Sequence, residues 1–272
     1  LLYRSDSNAY VQEVWALGRY HGQYWDSEGS AGGDRGYEDR RFRIGGQARV
    51  FNNLTLHAQM VSGSDFEPFY NGFTELWAGW RFDDALVLTV GQQKHRFTHD
   101  RNVSSRYLNH LERSLLTNMF GADYTPAVTL SGRVRRWSYY GGVFSNATGR
   151  DIKEAFTSLD SGYSLLATIT RDVGDLIPLD SAFLNMSLVH SNANKKATNL
   201  NRFEQGLACA LILTEGPFSL ITEITAGLGS ADADVIGINL QPGFFVIGRL
   251  QAVARYQFAS SNGDEGLRAQ RR

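Results

Sequence analysis

One cysteine, Cys209, occurs among 272 residues, so no intrachain disulfide can hold this chain together. No apolar run approaches the roughly 18 residues that a membrane-crossing helix needs, which excludes a helical membrane protein. The formal charge is only −1 and no basic face exists outside one loop, so nucleic acid is not expected as a partner. Motifs of catalysis are missing too: there is no Gly-x-Ser-x-Gly, no phosphate-cradling glycine loop and no Cys/His ligand set. His95 and His99 are four apart, but on an irregular loop that spacing does not converge on a metal, and they read as polar loop histidines. Glu75 and Glu223 lie on separate strand-like runs, with no spacing that pairs them as glycosidase carboxylates. No catalytic residue, metal or cofactor is therefore expected.

What the chain does contain is alternation. Leu86, Leu88 and Val90 share one face of an extended run and Val87, Thr89 and Gly91 the other. The same period places about thirteen strands near 10–25, 38–51, 54–64, 72–82, 85–95, 126–134, 137–146, 161–171, 181–191, 202–213, 218–228, 233–246 and 249–260. The joints differ in kind. Asn52-Asn53, Asp83-Asp84, Arg135-Arg136, Glu215-Gly216-Pro217 and Gly248 read as tight turns, whereas 26–37, 65–71, 96–125, 147–160, 192–201, 229–232 and the tail beyond 260 are longer and polar. Short turns at one end and long loops at the other is the layout of a transmembrane β-barrel. Cys209, in the run Leu207 to Leu213, reads as a small apolar filler.

Alternation alone does not say which face meets solvent. On 218–228, Leu220, Ile224 and Leu228 oppose Glu223, Thr225 and Gly227. A soluble sandwich turns the apolar set inward and a membrane barrel turns it outward, so periodicity supports both equally. Aromatic residues near strand ends favour the barrel: Trp15, Tyr20, Tyr24, Trp25, Phe51, Phe82, Trp137, Tyr163, Phe183, Phe203, Phe218 and Tyr256 suit interface girdles.

The segment 91–113, GQQKHRFTHDRNVSSRYLNHLER, breaks the alternation with Lys94, Arg96, Arg101, Arg106 and Arg113 against only Asp100 and Glu112. Arg113 beside Glu112 is suited either to lining a passage or to tying the loop to a wall as an ion pair. Arg135-Arg136 and Lys195-Lys196 read as solvated surface charges.

These residues also carry a resemblance. Gly91, Phe97, Ser104, Ser105, Arg106, Tyr107, Glu112 and Arg113 follow one another as in the strand and inward-folding loop of the phosphate-selective porin O and porin P family. RRFRIGGQARVFNNLTL, 40–56, is similar to that family's arginine-led hairpin, and GFTELWAGWRF, 72–82, to its next strand, where an acid at the position of Glu75 is usual. The resemblance implies a barrel of sixteen antiparallel strands with an inward-folded constriction loop, a place in the bacterial outer membrane, a homotrimer, and passage of small anions, phosphate first. It assigns Arg40 and Arg41 to the family's paired arginines, and Arg101 and Arg106 to two loop positions where the family uses lysine to hold phosphate. His95, Thr98 and His99 depart from the family's loop.

The expectation is thus an all-β, single-domain transmembrane barrel over 1–272, with about thirteen of sixteen strands, lacking a signal peptide, the mature N-terminus and the last strands. Its constriction is expected to be lined by Arg101, Arg106, Arg96, Lys94, Arg40, Arg41 and Arg113, with small anions and outer-membrane lipid as partners. The alternatives are a general or sugar-permeable pore, in which Trp77 and the tyrosines line the path, and a soluble β-sandwich carbohydrate-binding module or hydrolase.

Overall fold

The computed structural model describes residues 1–29, 32–104, 108–110, 112–149, 151–157, 162–193, 203–229, 234–248 and 250–262. Their strands are β1 (Tyr3–Arg4), β2 (Val11–Gly29), β3 (Gly32–Val50), β4 (Leu54–Val61), β5 (Phe73–Arg81), β6 (Val87–Lys94), β7 (Tyr124–Val134) and β8 (Trp137–Ser145). There follow β9 (Gly162–Asp172), β10 (Ser181–Ala193), β11 (Gln205–Glu215), β12 (Phe218–Leu228), β13 (Val235–Ile247), β14 (Leu250–Val253) and β15 (Tyr256–Ser261). Helix is confined to loops, as α1 (His99–Asn102), α2 (Leu115–Phe120) and α3 (Glu154–Thr157).

From β1 to β14 each strand pairs antiparallel with its sequence neighbour in one meandering sheet. β14 and β15 both pair with β13 and form one strand broken at Ala254-Arg255, so β2 to β13 and this broken strand are the expected thirteen. β1 adds only the pairs Tyr3↔Val14 and Arg4↔Glu13. From β4 to β13 the strands run 8 to 13 residues, near the roughly 9–11 that a tilted strand needs to cross a bilayer. β2 and β3, at 19 residues each, are longer. They take in 26–29 and 32–37, part of a stretch where the composition had suggested a loop. The ladder holds because its polar residues meet in pairs, Tyr24 opposite Tyr37 and Asp26 opposite Arg35 with an ion pair at 3.3 Å. At the other end the joints are tight. Phe51 and Asn52 take φ of 51° and 63° in the three-residue joint between β3 and β4, a left-handed conformation that asparagine tolerates.

The choice between sandwich and barrel is settled by which face is buried. On β10 Asn185, Ser187 and Ser191 are buried, while Met186 and Leu188 between them are exposed. On β12 and β13 Glu223, Thr225, Asn239 and Gln241 are buried, while Ile224, Ile236 and Ile238 are exposed. A wall that is polar inside and aliphatic outside fits hydrocarbon as its solvent and no soluble core. Cys209 lies in register with Met186 and Ile224 on that outer face. Aromatics gather at the tight-turn end: Tyr10 lies edge-on to Phe51, Phe218 tilts against Phe244 at 4.9 Å, and Phe82 and Trp137 are exposed beside them. Phe203, expected in such a girdle, is instead buried inside and stacks on Phe120 of α2 at 4.9 Å.

Inside the barrel, the loop 95–123 lies against one side of the wall. Phe97, Leu116, Met119 and Phe120 from the loop pack with Phe144, Leu166, Val189, Phe203 and Val235 from the wall and its connections. Polar contacts fix the same docking. His99 N donates to Glu223 Oε1 at 2.6 Å, Leu115 N to Gln257 Oε1 at 3.2 Å, and Arg255 Nη1 to the Glu112 carbonyl at 2.8 Å. Within the loop, Asp100 Oδ2 accepts from Ser114 N at 2.6 Å, and the Ser114 hydroxyl caps α2 by accepting from Thr117 N at 3.0 Å.

Candidate functional site

Because the loop is docked on the wall from Phe144 of β8 round to β15, the open part of the lumen runs between the loop and the inner face of β3 to β8. Two cavities lie along it. The first, about 310 Å³, is on the long-loop side and is lined by Arg41, Arg43 and Glu38 from β3 and by Arg101, Arg113, Glu112 and Asp123 from the loop. The second, about 260 Å³, lies towards the tight turns and is lined by Lys94, Arg96, Arg81, Glu75 and Trp77 among others. Cations outnumber carboxylates in both.

The strand period explains how one wall presents its arginines. Arg41 and Arg43 are two residues apart on β3 and so project to the same face. Arg43 Nη1 donates to the Tyr124 hydroxyl at 2.9 Å and its guanidinium stands 5.3 Å from that ring's centroid, a neutral partner, while Asp123 and Glu75 act on the charge from farther away. Across the cavity, Arg101 is nearly buried and donates to Asp123 through Nη1, so its charge is shared with a carboxylate. Arg113 Nη1 donates to the Asp100 carbonyl at 3.0 Å. Burial and the neighbouring Arg101 push the Arg113 guanidinium down to about 10, which leaves it charged at neutral pH. Glu112 reaches Arg41 on the wall, at 4.0 Å.

In the second cavity, Arg96 sits 4.3 Å from the Tyr140 ring centroid, and Lys94 Nζ donates to the Val103 carbonyl at 2.9 Å, joining the end of β6 to the loop. Trp77 is stacked flat on His57 at 4.8 Å. His95 and His99 are both buried, and burial lowers both from the usual histidine value, His95 to about 3 with Arg101 adding to the effect. The His95 ring is packed edge-on to Phe144 at 4.8 Å at the loop's root, a buried setting that the reading as polar loop histidines did not anticipate.

A loop folded into a polar lumen, inside a wall that is apolar outside, is the arrangement of a diffusion channel. The chain matches the family described as phosphate-selective porin O and P over residues 16–176. The chain belongs to that family. Solved porins share its fold. An anion-selective porin from Comamonas acidovorans superposes with a TM-score of 0.62 at 12% identity, over 92% of this chain and 79% of that one. A loop-deletion mutant of OmpT, an outer-membrane protein of Vibrio cholerae, does so with a TM-score of 0.61 at 12% identity, over 94% and 84%. Pseudomonas putida OprB follows at 0.54 and 12% identity, over 94% and 74%. No curated protein matches the chain in sequence. This protein is accordingly an outer-membrane porin with a β-barrel fold.

Of the seven expected residues, the structure brings Arg41, Arg101 and Arg113 to the first cavity and Lys94 and Arg96 to the second. Arg106 and the side chain of Arg40 lie outside the described residues. Three lumenal residues were not anticipated. Arg43 was readable as the next same-face position after Arg41. Arg255, which reaches Asp100 at 3.8 Å as well as Glu112, and Glu223, which holds His99, act over more than a hundred residues of separation, and no local signal announces them.

Proposed function

We propose that this porin passes small anions, phosphate foremost, by passive diffusion through a cation-lined constriction, and that it works as a homotrimer in the outer membrane. The observation that carries the reading is the first cavity, where Arg41 and Arg43 of the wall face Arg101 and Arg113 of the loop. Such a concentration of positive charge raises the local anion concentration, and low-dielectric barrel walls focus the field. Several weak sites in series let an anion leave as readily as it enters. Lys94 and Arg96 in the second cavity continue the path, and Arg40 and Arg106 join it by family resemblance. Guanidinium groups offer bidentate hydrogen bonds to oxyanions, which suits phosphate; the carboxylates of Glu38, Glu112 and Asp123 temper the attraction so that bound anions exchange.

A sugar path would need aromatic faces open to the lumen. Trp77 has one face covered by His57, and Tyr140 has Arg96 over its ring. The test is to titrate inorganic phosphate into chloride while recording current in planar bilayers. The proposal expects chloride conductance to fall saturably as phosphate occupies the constriction. A conductance that simply follows bulk ion mobility would show an anion path without a phosphate site.

A further inference from the structure

The loop's position sets the bore, and the wall it rests on has an unusual floor. On β11, β12 and β13 the inward positions beneath the loop are Gly206, Gly227 and Gly237, with Ala208, Ala210 and Thr225 around them, all of these neighbours buried. Gly206 pairs directly with Gly227, and Gly237 pairs with Thr225, so the three glycines form one contiguous patch across three strands. None of the three has a positive φ, so the backbone does not require glycine there. Space does. A Cβ on Gly206 would come within 2.7 Å of Val189 Cγ1 on the neighbouring strand and 2.9 Å of Phe97 Cζ above it, and one on Gly237 within 2.4 Å of Leu116 Cδ2. One on Gly227 would come within 2.4 Å of Phe203 Cγ, and that ring stacks on Phe120 of α2. Non-bonded carbon atoms rest about 3.5–4.0 Å apart. Even a methyl group would therefore push the side chain above it by about 1 Å.

The opposite wall carries the long side chains, Arg41, Arg43 and Trp77, and a loop lifted off the glycine floor moves towards them. Glycine within a strand weakens it and leaves nothing to pack, so three in one patch mark a close approach by another part of the chain. We propose that Gly206, Gly227 and Gly237 are positioning residues of this porin: their missing side chains seat Phe97, Phe203 and Leu116 and thereby fix the width of the passage. The proposal concerns conduction by the porin as such and holds for whichever solute passes.

The experiment is single-channel recording of Gly237→Val and Gly227→Ala in planar bilayers, with barrel assembly checked by heat-modifiable gel mobility. Each is paired with a compensating truncation, Leu116→Ala and Phe203→Ala respectively. Gly18→Val is the control, because a Cβ there meets nothing within 4 Å. The expected result is a loss of conductance in Gly237→Val and Gly227→Ala, with assembly intact, and recovery when the matching truncation is added. Gly18→Val should conduct as wild type. If Gly237→Val does not assemble, Gly237→Ala is read in its place with the same pairing. Wild-type conductance in the assembled glycine variants would overturn the proposal, and so would a conductance loss that the truncations do not reverse, since a purely structural defect would not respond to shaving the seated side chain.

Discussion

Neutralising Arg43 by Arg43→Gln removes a cation whose hydrogen-bond partner among the described residues is a neutral phenol, Tyr124. It leaves three arginines against three carboxylates in the first cavity. A unit charge about 4 Å from a passing ion is worth about 1 kcal/mol at the dielectric of water and about 4 kcal/mol at a surface-like value. The lumen is polar and open, so the lower figure applies, which is about fivefold in anion partitioning. The same charge repels cations by a similar factor, and the anion-to-cation permeability ratio should therefore fall by roughly 25-fold. Reversal potentials across a salt gradient read this ratio directly. The effect should be large near 0.1 M, where the screening length is about 10 Å, and should shrink towards 1 M, where it is about 3 Å. Tyr124→Phe, which removes the 2.9 Å hydrogen bond but keeps the charge, should move the potential much less. Arg135→Gln, at the tight turn between β7 and β8, should not move it. An unchanged reversal potential for Arg43→Gln at 0.1 M, with the barrel assembled, would show that this cavity does not line the ion path.

Three further outcomes are expected. Arg101→Gln leaves Asp123 without the ion pair it now makes, so it should lower anion preference and also raise open-channel noise as the loop loosens, both visible in single-channel traces. Acid should unseat the loop: His95 titrates near 3 when docked, below the roughly 6.5 of an exposed imidazole, so its contribution is complete above about 6.5 and declines as pH falls towards 3, by about 5 kcal/mol at the outside. His95→Phe should flatten that acid dependence, and equal pH profiles for the two proteins would argue against a buried neutral histidine. For topology, an impermeant thiol reagent on intact cells should label Ile152→Cys, exposed in the β8–β9 connection, and not Asn53→Cys at a tight turn; Cys209, on the lipid face, should stay silent, and the reverse pattern would invert the barrel.

Strand positions were legible because the period of two is written into each segment, and the order follows from short antiparallel connections. The direction of the faces was not. Alternation of Leu220, Ile224 and Leu228 with Glu223, Thr225 and Gly227 is the same string whether water or lipid is outside, and only burial distinguishes them. Polar composition misled at 26–29 and 32–37, where cross-strand pairs such as Asp26 with Arg35 sustain a ladder that Gly, Ser and Asp do not favour individually. Phe203 misled for a different reason: an aromatic near a strand end reads as a girdle, and nothing local shows that Phe120 waits inside to stack on it. The cationic character of 94–113 was readable as composition. Which cations stay exposed to a passing ion depends on partners that no local pattern names, Asp123 across the loop for Arg101 and Tyr124 on another strand for Arg43.

The most direct test of the account is the zero-current potential of the wild-type porin in a planar bilayer between 0.1 M and 1 M potassium chloride. A lumen in which Arg41, Arg43, Arg101, Arg113, Lys94 and Arg96 outweigh the carboxylates predicts a potential of the sign set by chloride diffusion. A potential of the sign set by potassium, or one near zero, would contradict it.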